Sequence, residues 1–323
     1  METLNVGGSG GEAFLLNSSA AIGAPIDPVV IGRVVWLRDA LGDPGIHQLD
    51  LDTGGLIRSL GRRGEGPGEF GQVPAGISPV PGSSDAAWIW DPGNQRLVKY
   101  ETGEDGELQF SNVWLRGAPP VTHMLLLNDS TWLGQSSRFG ERFWFFGIDG
   151  AVRDSSPGIY YGPTDIDVDN RVRATIAGTS LCAWPNRGFA VVNFSIGRID
   201  FFSASGEFNR SAEVPRPTEP NFLELEDGRK VFAPSSAHYM VCRVRDDKLF
   251  ALYAGGTEYS VSESANSASH GQEIHVFDWS GKQLGAAEAP VPVRSFTFTE
   301  PEGEVVATSL ETAHVYRFPI DWR

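Results

Sequence analysis

No apolar run in this sequence approaches the ~18 residues that a membrane-spanning helix needs. The opening METLNVGGSGGEAFLL lacks a basic start followed by a long apolar core, so no signal peptide is read in it. Dense Lys/Arg clusters are also missing, and the net charge is -15. Duplex binding depends on cationic groups that displace phosphate counterions, so nucleic acid is not an expected partner. The acidity reads as a solubility device. Cysteine is scarce: Cys182 and Cys242 are too few for a disulfide scaffold. Neither HExxH nor CxxC occurs, and no serine nucleophile elbow is placed between a strand and a helix.

What is plentiful is turn and core material. Gly 38 and Pro 21 mark a chain that reverses often. Apolar residues at 41% and aromatics at 11% supply a packed interior and argue against disorder. A four-strand unit recurs: apolar strand A, a tight turn, apolar strand B, a longer loop, apolar strand C, a Gly-containing turn, and a more polar strand D. The clearest copy has A at TSLCAW, a PNRG turn, B at FAVVNF and C at RIDFF. The next has HYMVCRV, LFALYA and EIHVFD, and the last has VRSFTF, EVVATS and AHVYRF. Three looser copies precede them. Units of this length and composition read as propeller blades. The sequence thus predicts an all-β fold, a six-bladed β-propeller of four-stranded blades in one domain spanning 1–323. The blades fall at 26–60, 74–116, 120–156, 178–215, 236–288 and 292–323, with 12–20 completing the last.

That last assignment follows from a deficit. The sixth copy runs out before a D strand, and EAFLLNSSA at 12–20 has no copy of its own. An N-terminal strand closing the ring removes an exposed edge. Cys182, Cys242 and Phe298 each lie seven residues before the first apolar residue of the B strand, which predicts a shared register. The two cysteines then occupy equivalent places in adjacent blades. At the ~10 Å spacing of stacked sheets they are expected to be buried free thiols.

In this topology the A–B and C–D turns share one face, and they are short. The B–C loops and D–A connections share the other and hold the excess length: 61–75, 134–142, 157–178, 216–237 and 255–272. Loops this long in a compact domain point to function. Arg62, Arg63, Glu65, Arg138, Arg142, Tyr161, Arg171, Arg173, His238, Tyr239 and Tyr259 are the candidate binding residues on that face, because Arg and Tyr combine contact area with directed hydrogen bonds.

The run Gly61, Gly64, Gly66, Pro67, Gly68, Phe70, then Pro74, and later Asp91, Asn94, Arg96, Leu97, resembles an NHL-type propeller repeat. With GEGPGEF, a helix-like RVRATIAG insert and EIHVFDWSGK, the chain is similar to the TolB-like six-bladed propellers of bacterial envelopes. The resemblance implies an exported or lipid-anchored, extracytoplasmic protein that binds a partner without a defined activity. Two departures stand against it: no lipobox cysteine is present, and only the second copy carries the full repeat pattern. The motif residues themselves read as structural: glycines for a sharp crossing, Asp91 and Asn94 for a turn, and Arg96 paired with a carboxylate there.

Metal chemistry has thinner support. Asp165, Asp167 and Asp169 are spaced like the start of a calcium loop, but Asn170 and Ile176 stand where Gly and Glu are required. Capping of a short helix by Asp169 or Asn170 accounts for them. GRRGEG joins strand to strand and offers no helix N-terminus to a phosphate. No cofactor is predicted, with a divalent cation left open and Asp165, Asp167, Glu224, Asp227 and His238 as its candidate donors. The expected function is a non-catalytic binding or scaffold propeller, a monomer that takes a protein or small-molecule ligand on the long-loop face. The alternative is a metal-dependent, lactonase-like hydrolase with a cation at the channel mouth.

Overall fold

The computed structural model describes residues 2–4, 13–17, 22–66, 68–103, 107–117, 119–136, 141–159, 179–184, 187–215, 219–233, 236–258, 270–300, 303–309 and 311–321. Among them every regular element is a strand. Six four-stranded antiparallel blades form, each in the order A-B-C-D. Their innermost A strands are Pro25–Ile31, Gly76–Pro79, Val121–Asn128, Thr179–Trp184, Ser236–Arg245 and Ser295–Phe298. Each A strand touches the next, and the last touches the first, so they form a closed ring about an axis.

Packing explains why the B and C strands are nearly continuous in apolar residues. A blade has a neighbour on each face, so both of its faces are buried. All six residues of Gly188–Asn193 and all five of Ala87–Asp91 are buried. The apolar interior divides into layers, each shared by two adjacent blades. Ile46, Ile89 and Tyr100 join the first and second blades. Trp90, Trp132 and Phe146 join the second and third, and Phe143, Phe189 and Phe202 join the third and fourth. The D strand Leu108–Trp114 lies outermost in its blade and is largely exposed.

The ring closes as its deficit predicts. Ala13–Asn17 pairs with His314–Phe318, with Leu15 opposite Tyr316 and Phe14 opposite Arg317. Glu2–Leu4 adds a fifth strand outside it. Leu16 is buried against Val35, Leu37 and Val315, so the closing strand also seals the layer between the sixth and first blades. A small hairpin, Phe222–Glu224 with Lys230–Phe232, stands apart from the blades between the fourth and fifth.

Two expectations are corrected. The seven-residue spacing is not a shared register: Cys182 pairs with Ala190, Cys242 with Ala251, and Phe298 with Val305, because the three A–B turns differ in length. The cysteines are not free thiols. Cys182 and Cys242 form a disulfide, with Cα atoms 6.0 Å apart. The ~10 Å spacing of packed sheets holds for blade faces, whereas inner strands converge on the axis, which brings equivalent positions of adjacent blades within bridging range.

Candidate functional site

An inner strand of a propeller has one side toward the axis, so a charged residue there faces a narrow channel. Three A-strand segments here carry one. PIDPVVI holds Asp27, HYMVCRVR holds Arg243, and Arg294 immediately precedes SFTF. The channel is a cavity of about 660 Å³ lined by all six inner strands, within the ~300–1,000 Å³ range of small-molecule sites. Met124, Met240, Ile77 and Phe298 form apolar parts of its wall.

The first A strand bulges between Ile26 and Val29. Asp27 sits there with φ of 46°, a left-handed backbone that Asp tolerates better than most residues. Its N–H donates to Ser295 Oγ at 2.8 Å, which ties the first blade to the sixth. Arg38, near the end of the neighbouring B strand, donates through one terminal nitrogen to the Asp27 carboxylate and through the other to the Pro74 carbonyl. Arg243 donates to its neighbour's carbonyl, that of Cys242, at 2.8 Å. The disulfide therefore lies in the channel wall beside a guanidinium.

The electrostatics of this group are one-sided. Burial opposes ionisation of Asp27, but Arg38, Arg243 and Arg294 outweigh it and hold the carboxyl below the ordinary aspartate range. The converse strain falls on the arginines. Burial pulls Arg243 and Arg294 below the usual arginine range, with Asp27 opposing that and Arg38 adding to it. The pKa of His123, also on the channel, is lowered by burial and by Arg38, against Asp27. Asp27 is about a third exposed, but that exposure is to the cavity.

The sequence candidates scatter around this centre. Arg62, Arg63 and Glu65 are exposed on the first D–A connection, where the Arg63 N–H donates to Asp43 at 3.0 Å. Arg142 is buried, donating to the Ile159 carbonyl at 2.9 Å and lying over the Phe143 ring. His238 and Tyr239 are buried too. The Tyr239 hydroxyl meets His275 Nδ1 at 3.0 Å, and His275 Nε2 meets Glu273 at 3.0 Å. This chain borders a second cavity of about 230 Å³ lined by Tyr253, His270 and Glu273. Burial raises the Tyr239 phenol, and burial lowers His275 with Glu273 opposing. Glu224 and Asp227 lie exposed on the small hairpin, where Asp227 accepts from Arg229 Nε at 2.6 Å. Arg138, Tyr161, Arg171, Arg173, Tyr259, Asp165 and Asp167 lie outside the described residues. Among the described residues no three His, Cys, Asp or Glu side chains gather as a metal-binding group.

The glycine-rich motif is a blade crossing. Gly61 has φ of 74°, and a Cβ there would fall 2.2 Å from the buried Phe70 ring. Asp91 accepts from the N–H groups of Gly71 and Asn94 and from Arg96 Nε at 3.1 Å. Asp39 plays the same part in the first blade, accepting from Gly23, Ala24, Leu41 and Gly42. Sequence reading missed Asp39, and it missed Asp27, Arg38, Arg243 and Arg294. The available signal was a charge inside an innermost apolar strand.

No known family model matches the chain, and no curated protein matches it. Solved structures do resemble it. A gluconolactonase from Xanthomonas campestris superposes with a TM-score of 0.57 at 12% identity, over 96% of this chain and 90% of its own. A calcium-binding regucalcin from Agrobacterium tumefaciens gives 0.54 at 12% identity, over 95% and 93%. Dihydro-heme d1 dehydrogenase NirN gives 0.45 at 14% identity, and this chain spans 57% of its length. At such identities the likeness is one of fold: this chain is a six-bladed β-propeller.

Proposed function

We propose that the chain is a binding propeller whose ligand occupies the axial channel, entering from the long-loop end. The observation that carries this reading is the cavity of about 660 Å³ lined by all six inner strands, with Asp27, Arg38, Arg243 and Arg294 grouped on its wall. Apolar walls with a few placed polar groups are the usual make-up of a small-molecule site. Asp27 and Arg294 stand at the starts of inner strands and Arg38 near the end of a B strand, which is the end where the long loops emerge. The long-loop residues named from sequence then form the approach to the channel, and the protein acts without chemistry of its own. A bacterial-envelope setting belongs to the same proposal, supported by the disulfide, since such bonds persist in oxidising compartments.

A second reading is a metal-dependent hydrolase. A gluconolactonase and a calcium-binding protein among the fold's neighbours favour it, and its donors would be Asp165, Asp167, Glu224, Asp227 and His238.

One experiment separates the two. Thermal unfolding is followed with small acids, sugars and lactones, and with calcium, zinc and manganese after EDTA treatment. It is repeated on Met240→Trp and Ser180→Tyr, which narrow the channel from two blades. A ligand that binds only the folded state raises the melting temperature with its concentration. The binding reading expects an organic compound to do so in the native protein and to lose the effect in both variants. A rise with metal alone, accompanied by lactone turnover, contradicts it and supports the hydrolase.

A further inference from the structure

Independently of what the channel holds, we infer that the outer edge of the second blade docks a second copy of this chain, strand against strand, in place of the monomer expected from sequence. An outermost strand offers unpaired N–H and C=O groups to any other strand, and proteins guard such edges with charge, proline or a covering segment. Five blades here are guarded. Leu56–Leu60 carries Arg58, Val152–Ser156 carries Arg153 and Asp154, and Phe208–Ser211 carries Arg210. Gln283–Val293 carries Glu288, Pro290 and Pro292. Ala13–Asn17 is covered by Glu2–Leu4. Leu108–Trp114, LQFSNVW, has no charge, no proline and no cover among the described residues.

The phase of its ladder fixes which groups are free. Leu108–Trp114 pairs with Arg96–Thr102 in an unbroken register. Just outside it, the Gly103 N–H donates to the Glu107 carbonyl at 2.7 Å and the Leu115 N–H to the Gln95 carbonyl at 3.1 Å. Antiparallel pairs alternate between bonded and non-bonded, so Gln109, Ser111 and Val113 bond inward. Leu108, Phe110 and Asn112 therefore turn their N–H and C=O groups outward. Near Trp114 the third blade closes the edge, since a Cβ on Gly150 would fall 2.3 Å from the Trp114 carbonyl oxygen.

These three residues are self-complementary. A two-fold axis at Phe110 sets Leu108 of one copy opposite Asn112 of the other and Phe110 opposite Phe110, and all are bonded pairs. Their side chains share one face of the sheet. Phe110 is 46% exposed and lies 6.4 Å from the Tyr100 ring, so the axis gathers two rings from each copy. Charge agrees with this orientation. Glu104, Asp105 and Glu107 precede the strand and Arg116 follows it. Antiparallel alignment sets the acidic approach of one copy against the basic exit of the other. Elsewhere the net charge of -15 holds copies apart, and a neutral edge is where they meet with least repulsion.

The test is sedimentation velocity of the full, unreduced chain from low micromolar to millimolar concentration. A monomer–dimer equilibrium with nothing larger is expected. Phe110→Lys places a charge on the axis. Asn112→Pro removes an outward N–H and leaves the inward ladder whole. Each should weaken dimerisation about tenfold or more, as loss of a central contact does. Leu56→Lys, on the neighbouring blade's edge, should leave it unchanged. The register is read by cross-linking, because the described cysteines are both bridged. Gln109 and Ser111 of opposite copies form a non-bonded pair about 4.5 Å apart, within disulfide reach. Gln109→Cys mixed with Ser111→Cys should therefore oxidise to a covalent dimer faster than either variant alone. A monomer at every concentration overturns the inference, as does open-ended association. A dimer that survives both edge variants, or that Leu56→Lys weakens equally, overturns it too, and so does a mixture that cross-links no faster than the single variants.

Discussion

At the scale of single residues, the best-supported roles belong to buried acids at the ends of B strands. Asp91 and Asp39 each close off the N–H groups of an irregular crossing, and each has a cationic or imidazole partner on the next strand: Arg96 for Asp91 and His47 for Asp39. The first pair was legible because Asp-x-x-Asn-x-Arg is a compact motif. The second was not, since Asp39 and His47 are separated by a loop and no short pattern links them. Burial works against ionisation of Asp39, and the N–H groups of Gly23, Leu41 and Ala24 together with His47 outweigh it, so its pKa lies below the ordinary aspartate value. The sign of the linkage follows. The stabilisation is complete above the unfolded-state aspartate pKa of ~3.9 and is lost as pH falls through the lowered folded-state value. Urea unfolding from pH 7 down to pH 2 should show this loss in the native protein. Asp39→Asn should be less stable at pH 7 by about 1–3 kcal/mol, the cost of unmaking buried hydrogen bonds, and less sensitive to acid. An equal acid dependence in the two proteins would assign it to other carboxylates.

At the scale of elements, the closing strand and the disulfide hold the ring. Ala13–Asn17 completes the sixth blade and buries Ala13 and Leu16. A chain lacking residues 1–17 exposes the edge of His314–Phe318 and opens the layer against the first blade. Its melting temperature should fall by many degrees, and an unchanged melting curve would contradict the closure. The strand was predictable because the repeat left one position empty. The disulfide was not. Sequence supplies which blades are adjacent, but not that their inner strands approach closely enough at the axis for a 6.0 Å Cα separation. Cys182 and Cys242 are 60 residues apart in sequence, for which restricted chain entropy gives about 4 kcal/mol of stabilisation. Reduction, or the double change Cys182→Ala with Cys242→Ala, should lower unfolding stability by about that amount. Thiol titration of the denatured, unreduced protein should find no free thiol, and two free thiols would refute the bridge.

At the scale of the whole molecule, architecture was legible and chemistry was not. Strand periodicity, turn residues and repeat length each report on local structure, and a propeller is local structure repeated. The axial site is assembled from one residue of the first A strand, one of its B strand, one of the fifth blade and one between the fifth and sixth. Asp27 and Arg294 are 267 positions apart, and nothing in the sequence pairs them. The long-loop face was read from sequence because loop length is visible there. A crystal structure of the full chain soaked with small acids, sugars and lactones tests the central claim most directly. The account predicts electron density for one of these compounds in the axial channel, against Met240 and Arg243. Density confined to the outer loops, with the channel wall uncontacted, would contradict it.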